Sequence, residues 1–413
     1  MPEKFFTHNY ENGLSLVAQQ IDTVSSGAIT IAVPAGASRD PADNQGAAAV
    51  GSYWLFRGAG KRNTRQLNDA LDSLGCQHHE SVQSEHLLLS AAQLGINLSS
   101  VIEIYGDILK EAHLSDNTFN PCRELVLQAL DGLEDQPMEK CNAMIKEIFY
   151  PAPLGRNPLG KKELVQKLTP EMLRVHLQRH IGPAGTIIAV AGKFDWKELL
   201  ESVGATFGDW KGSDRPMVEV DKANGRAMHV EKQTAQVQIA LAWPAATIRD
   251  KHYYAGRIVQ MILSGGMGSR LFVEVREKRG LVYAIIARYH SLKDYAGIFV
   301  YAGTTPQRAQ ETLTVTIDVL QNLQKGIEQD ELSRAKTQLK SALIMQGEST
   351  SARADALAGD FYHLGKLRSL EEISAAIEAV SIDDVMEYLQ VYPVKNLTML
   401  TIGPEKLDST ILP

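Results

Sequence analysis

The chain has 413 residues, 44% of them hydrophobic and 22% charged, with a net charge of −7. That length predicts two to three domains with sizeable cores, and the composition is that of a soluble globular protein. The acidic balance excludes a nucleic-acid partner held by bulk phosphate neutralisation, while leaving room for a local basic patch.

The amino-terminal run Met1-Pro2-Glu3-Lys4-Phe5-Phe6-Thr7-His8 has neither the basic nor the apolar region of a secretory signal. The apolar run at 186–191 is far too short to span a bilayer, so no membrane association is expected. Cys76, Cys122 and Cys141 form an odd set without a Cys-x-x-Cys pair. Free thiols in a reducing compartment are the simplest expectation, which places the chain in the cytoplasm.

Along the chain, alternating apolar residues predict a strand over 28–33, followed by Pro34-Ala35-Gly36-Ala37-Ser38-Arg39-Asp40. Helical spacing covers 97–113 and 120–149, with Pro137 expected to disturb the second. Thr169 is a good N-cap for a helix that precedes a strand ending near Gly192. Residues 210–225 are rich in Gly, Asp and charge and suit an exposed linker.

Beyond the linker the same order returns. A strand over 237–243 leads into Pro244-Ala245-Ala246-Thr247-Ile248-Arg249-Asp250, offset by 210 residues from the first copy. Helices are predicted over 307–325 and 329–345, and Ser381 caps a helix before a strand ending near Gly403. Three echoes at nearly one offset point to duplication. The expected division is 1–213, a linker at 214–225, and 226–413. Strands beside clustered helices favour an α+β class over regular βαβ alternation.

Three groups of residues invite chemistry. His78, His79, Glu80, Glu85 and His86 lie close in sequence. On one strand, alternation puts His78, Glu80 and His86 on one face and His79 and Glu85 on the other. A metal site and a solvated or cleft-lining strand are both open to this cluster. His176 and His180 stand four apart on a predicted helix, although Arg174, Gln178 and Arg179 around them suggest an exposed face. Gly265, Gly266 and Gly268 lack the following Gly-Lys-Ser/Thr of a phosphate cradle, which favours a flexible peptide-contacting loop.

The run at 46–59 resembles the zinc-binding helix of the pitrilysin/insulinase-type metallopeptidases, a family that includes the mitochondrial processing peptidase. There the helix typically reads Gly-Leu-Ala-His-Phe-Leu-Glu-His-Met-Leu-Phe-Lys-Gly-Thr. Here Gly46, Leu55, Phe56, Arg57 and Gly58 match the frame, whereas Ala49, Ser52 and Tyr53 stand where the two His and the catalytic Glu belong. A plain core helix is the alternative for this stretch taken alone. The family's third ligand is a Glu in a helix reading Val-Ile-Leu-Glu-Glu. The matching 125–130 stretch puts Gln128 or Ala129 there. By the same resemblance His79, Glu80 and Glu85 fall on a strand that lines the substrate cleft.

The strongest match is the run from Ile262 through Gly265, Gly266 and Gly268 to Arg276-Glu277-Lys278-Arg279-Gly280-Leu281-Val282-Tyr283. It is similar to the family's second-half signature of a glycine-rich loop followed by Arg-Glu-Lys-Arg-Gly-Leu-Ala-Tyr. In the family an Arg and a Tyr seven apart point into the cleft, and by position these are Arg276 and Tyr283. A guanidinium and a phenol are donors suited to a substrate carbonyl and its developing oxyanion. A solvated Arg and a half-buried core Tyr are the bland alternative.

The resemblance covers nearly the whole chain. It implies two homologous halves, each a mostly antiparallel sheet covered by helices, facing each other across a peptide-binding cleft. It further implies a pseudo-peptidase subunit that pairs with a zinc-bearing homologue. This chain then holds no cofactor, zinc sits on the partner, and Arg276 and Tyr283 serve catalysis. Gly265, Gly266, Gly268, His79 and Glu80 are expected to bind an unfolded peptide. The alternatives are a non-catalytic structural or peptide-binding homologue, a hydrolase with other metal ligands, and a homodimer in place of the heterodimer.

Overall fold

A computed structural model describes residues 3–212, 218–221 and 227–413. Most of the expected linker at 214–225 therefore lies outside the described residues. The strands in chain order are β1 (Lys4–Asn9), β2 (Ser15–Gln20), β3 (Ser26–Val33), the short pair β4 (Gly58–Ala59) and β5 (Arg62–Asn63), β6 (Gln77–Val82), β7 (Leu87–Leu94), β8 (Ile187–Gly192), β9 (Ala227–Glu231), β10 (Val237–Pro244), β11 (Val282–Ser291), β12 (Ala296–Thr304) and β13 (Thr398–Gly403). The helices are α1 (Ala47–Leu55), α2 (Thr64–Ser73), α3 (Leu98–Lys110), α4 (Asp116–Leu133), α5 (Pro137–Phe149), α6 (Lys162–Val165), α7 (Pro170–His180), α8 (Trp196–Phe207), α9 (Tyr253–Ser264), α10 (Ala309–Asn322), α11 (Gln329–Gly347), α12 (Thr350–Leu364), α13 (Leu370–Ala379) and α14 (Ile382–Val391).

The chain forms two compact units. The first holds Met1–Gly132, Arg156–Val220 and Gln346–Ser369; the second holds Leu133–Gly155, Asp221–Met345 and Leu370–Pro413. Sheet one has the order β1-β2-β8-β3-β7-β6, and sheet two the order β11-β12-β10-β13-β9. Read from the other end, sheet two repeats sheet one without β1. The β2–β8 and β9–β13 pairs are parallel, and the others are antiparallel. The two halves are homologous α+β units.

Each sheet buries both faces, which explains why β3, β8, β10, β12 and β13 read as continuous apolar runs. In the first unit one face packs on Val50, Trp54, Val101, Leu177 and Val203, from α1, α3, α7 and α8. The other face, with Val17, Ala28 and Ala189, is closed by Ala354, Leu357 and Ala358 of α12. In the second unit α9, α10, α11 and α14 cover one face, and Cys141 and Ile145 of α5 cover the other. The two closing helices are thus exchanged: α12, from the later half of the sequence, belongs to the first unit, and α5 to the second. The contiguous split expected at 213 and 226 does not follow this exchange.

Local chemistry accounts for the helix boundaries. Pro137 does not kink one long helix; it occupies the first turn of α5, where no N–H is needed, after a break behind Leu133. Thr169 Oγ1 accepts the Met172 N–H at 3.3 Å, and Ser381 and Asp384 form a reciprocal capping box.

Candidate functional site

In the first unit α1 begins at Gly46, whose φ of +99° suits glycine and whose Cβ would lie 2.5 Å from Val165 Cγ2. The helix has no side-chain cap of its own. Asp40 supplies one, accepting N–H bonds from Gly46 at 2.7 Å and Ala48 at 3.0 Å. Ala49 and Ser52 are buried, and the Ser52 hydroxyl donates to the Ala49 carbonyl at 2.8 Å. Tyr53 is half-buried against the core.

The C-terminal end of α1 is tied to α4. The Trp54 and Phe119 rings meet edge-on at 5.3 Å, and Arg57 Nε donates to Cys122 Sγ at 3.4 Å. Gln128, further along α4, is exposed, and Ala129 is half-buried. A methyl group, a hydroxyl committed to its own helix, a phenol and an amide do not fit zinc, which takes imidazole, thiolate or carboxylate ligands. Among the described residues no group of three His, Cys, Asp or Glu is placed to hold a metal ion.

The histidine clusters differ from expectation. His78, Glu80 and His86 do not share one strand: β6 ends at Val82, residues 83–86 turn, and the Gln83 N–H donates to the His86 carbonyl at 2.8 Å. His86 is buried edge-on against Tyr362, ring centroids 4.3 Å apart. His176 and His180 are buried rather than exposed, with His176 Nε2 3.4 Å from Asp40 Oδ1. Burial, with Arg179 nearby, pushes the His176 pKa down to about 4; burial pushes the Asp40 carboxyl up to about 7 against the pull of its N–H bonds.

Strand β6 is one of the two edge strands of sheet one and lies beside α1. The Gln83–His86 bond fixes the phase of the antiparallel ladder, so residues 79 and 81 bond to β7 while the backbone groups of His78 and Glu80 face outward. The His78 ring stacks on Phe56 at 5.4 Å. His79 pairs opposite Ser90 and is exposed. Glu80 is half-buried, and burial raises its pKa although His78 and His79 counter the shift.

In the second unit the glycine-rich loop follows α9. Gly265 ends the helix, and a Cβ there would lie 2.3 Å from Gln338 Oε1 and 2.6 Å from the Met261 carbonyl. Gly266 has a φ of +150°, while Gly268 has nothing closer than Arg334 at 4.0 Å. Met267, between them, is 78% exposed. Gly265 is therefore held by packing against α11.

Next along the chain, Arg270 makes a two-pronged contact with Glu331, both bonds 2.6 Å, and anchors a π-helical segment over Phe272–Glu277. Such segments are rare and concentrate at functional sites. Glu274 takes up Lys278 and Arg279, leaving Arg276 exposed with no acidic partner among the described residues. The Arg276 guanidinium carbon sits 5.1 Å from the Phe272 ring centre and 5.5 Å from that of Tyr283.

Tyr283 falls in a β-bulge. Val282 pairs with Thr304 and Ala284 with Gly303, so Tyr283 has no residue opposite, and it is 83% exposed. The structure thus assembles Arg276 and Tyr283 into one exposed pair of donors, and Phe272 is a neighbour that sequence spacing did not single out. Its only signal was the position four residues before Arg276.

Two family profiles match the chain: "Insulinase (Peptidase family M16)" over residues 16–162 and "Peptidase M16 inactive domain" over 167–339. An uncharacterized zinc protease of Streptomyces coelicolor is 26% identical over 95% of this chain and 88% of its own length. An uncharacterized zinc protease of Bacillus subtilis is 24% identical over 91% of this chain and 92% of its own. Among solved structures, a protease from Helicobacter pylori aligns with a TM-score of 0.89 at 18% identity, covering 98% of this chain and all (100%) of the other. A peptidase M16 inactive domain from Pseudomonas fluorescens aligns at 0.86 and 16% identity, covering 98% and 99%. The chain is a member of the pitrilysin/insulinase-type peptidase family, M16.

Proposed function

We propose that this protein is the non-zinc subunit of a heterodimeric, processing-peptidase-like metallopeptidase. The observation that carries this is the contrast between the units: α1 presents Ala49, Ser52 and Tyr53 in place of ligands and base, whereas Arg276 and Tyr283 form an exposed, preassembled pair. The metal, its ligands and the general base then belong to a zinc-bearing homologous chain. This chain contributes binding and electrostatics: Arg276 and Tyr283 hold the scissile carbonyl and donate to its developing oxyanion. In the first unit, β6 offers the outward backbone groups of His78 and Glu80, with His79, to an extended peptide; in the second unit the Gly265–Gly268 loop serves as a peptide contact of its own. No described helix is long and apolar enough to cross a membrane, and the three buried free thiols support a reducing, cytoplasmic setting.

A second function is favoured by the same open edge of β6, which can hold a peptide without any hydrolysis. Mixing separates the two. The proposal expects no cleavage by the chain alone and cleavage on adding a zinc-bearing homologue from the same source. A complex that forms yet stays silent would favour peptide binding or scaffolding.

A further inference from the structure

At one end of sheet two the strands open onto a cavity of about 630 Å³, a volume typical of small-molecule sites. Pro244 ends β10 there, and Ala227, Ala296 and Thr398 begin β9, β12 and β13. Tyr283 lies at the opposite end of the same sheet, about 23 Å away along β10. The cavity is therefore separate from the Arg276–Tyr283 pair.

Its walls are mostly aromatic and proline carbon, held by packing. Tyr150 turns its hydroxyl away to His290 Nδ1 at 2.8 Å, and Tyr392 turns its hydroxyl to Asp250 Oδ2 at 2.5 Å. Both therefore offer ring surface to the cavity. Phe149 is wedged between Tyr150 and Phe299, centroids 4.9 and 5.1 Å away, and rests on Gly297, where a Cβ would lie 2.6 Å from its ring. Tyr392 stacks on buried Tyr388 at 5.3 Å. Pro151 and Pro393 add two further stiff apolar surfaces.

Besides the Tyr295 phenol, the polar side chains of the lining come from one short stretch, Lys395, Asn396 and Thr398, in which Asn396 adopts a left-handed φ of 51°. The Asn396 N–H donates to a main-chain oxygen of Pro413 at 3.0 Å. Lys395 is exposed and has no carboxylate partner among the described residues. The Asp250 carboxylate accepts the Tyr392 hydroxyl. One unpaired ammonium at the rim of a rigid aromatic pocket defines the complementary molecule.

We infer that this cavity binds a small amphipathic monoanion, a flat apolar body whose single carboxylate pairs with Lys395. The aromatic and proline surfaces take the body by ring contact and desolvation. Lys395 selects acid over neutral analogue.

The test is calorimetric titration of the full chain with 2-naphthoate and, in parallel, with its neutral analogue 2-naphthamide. Saturable one-to-one binding is expected, with the acid about tenfold tighter. Lys395→Ala should remove that preference and leave the amide unchanged. Ala227→Trp, at an exposed lining position, should abolish binding of both. Should that variant misfold, Val391→Trp, at the end of α14, replaces it, since Val391 also lines the cavity and is 52% exposed. Absence of saturable binding, equal affinity for acid and amide, or binding that survives the tryptophan in a folded variant would each overturn the assignment. None of these outcomes depends on peptidase activity.

Discussion

Asp40 and His176 form a buried acid–base pair beneath the start of α1, 3.4 Å apart. Burial displaces Asp40 from 3.8 to about 7 and His176 from 6.5 to about 4. Folded, the two groups share a single proton between about pH 4 and 7. Unfolded, with ordinary values of 3.8 and 6.5, they share one proton over nearly the same range. The intact pair thus contributes almost no pH dependence to stability, because proton uptake is equal in the two states.

Removing either partner exposes the other. In His176→Leu, Asp40 keeps a folded pKa above its unfolded value. Stability is then greatest below the unfolded pKa and falls as pH rises through about 7. The displacement corresponds to a loss of roughly 4 kcal/mol across that window. In Asp40→Asn, His176 keeps a folded pKa below its unfolded value. Stability is then full above pH 6.5 and falls as pH drops through about 4, by roughly 3 kcal/mol. Urea unfolding of both variants and the parent between about pH 4.5 and 8 reads these slopes directly. Only the slopes matter, since Asp40→Asn also weakens the cap of α1 at every pH. Variant curves running parallel to the parent's would refute the account of this pair.

Arg276→Ala and Tyr283→Phe should each lower turnover of the assembled enzyme by roughly 10²–10³-fold, the usual effect of losing one oxyanion donor, with little change in KM. A Phe272→Leu variant should lower turnover less, and Phe272→Tyr should restore it, because the ring only positions the guanidinium. Leu357→Ala, buried where α12 closes sheet one, should cost about 2–5 kcal/mol in denaturant unfolding. Gly265→Ala should cost about 1–3 kcal/mol through its clash with the Met261 carbonyl, whereas Gly268→Ala, facing open space, should be nearly silent by the same assay.

Features with a local cause were legible in the sequence. The apolar runs of β3 and β10, the caps at Thr169 and Ser381, and the duplicated order of elements all follow from short-range pattern and are present in the fold. The exchange of α5 and α12 was not legible, because helical periodicity marks an apolar face without naming the sheet it covers. The turn at 83–86 was missed for want of a Gly, Pro or Asn-Gly signal. Charged neighbours close in sequence make His176 and His180 read as exposed, while Asp40, which faces His176 in the fold, lies far away along the chain. Arg276 and Tyr283 carried a family signature, but the π-helical turn and the bulge that bring them together have periods that simple pattern reading does not register.

The most direct test of the split-site account is to purify the chain, measure its zinc, and follow cleavage of an unstructured peptide before and after adding a zinc-bearing homologue from the same source. The account predicts no stoichiometric zinc and no cleavage from the chain alone, then cleavage on mixing that Arg276→Ala lowers by roughly 10²–10³-fold. Stoichiometric zinc with cleavage by the chain alone would contradict it.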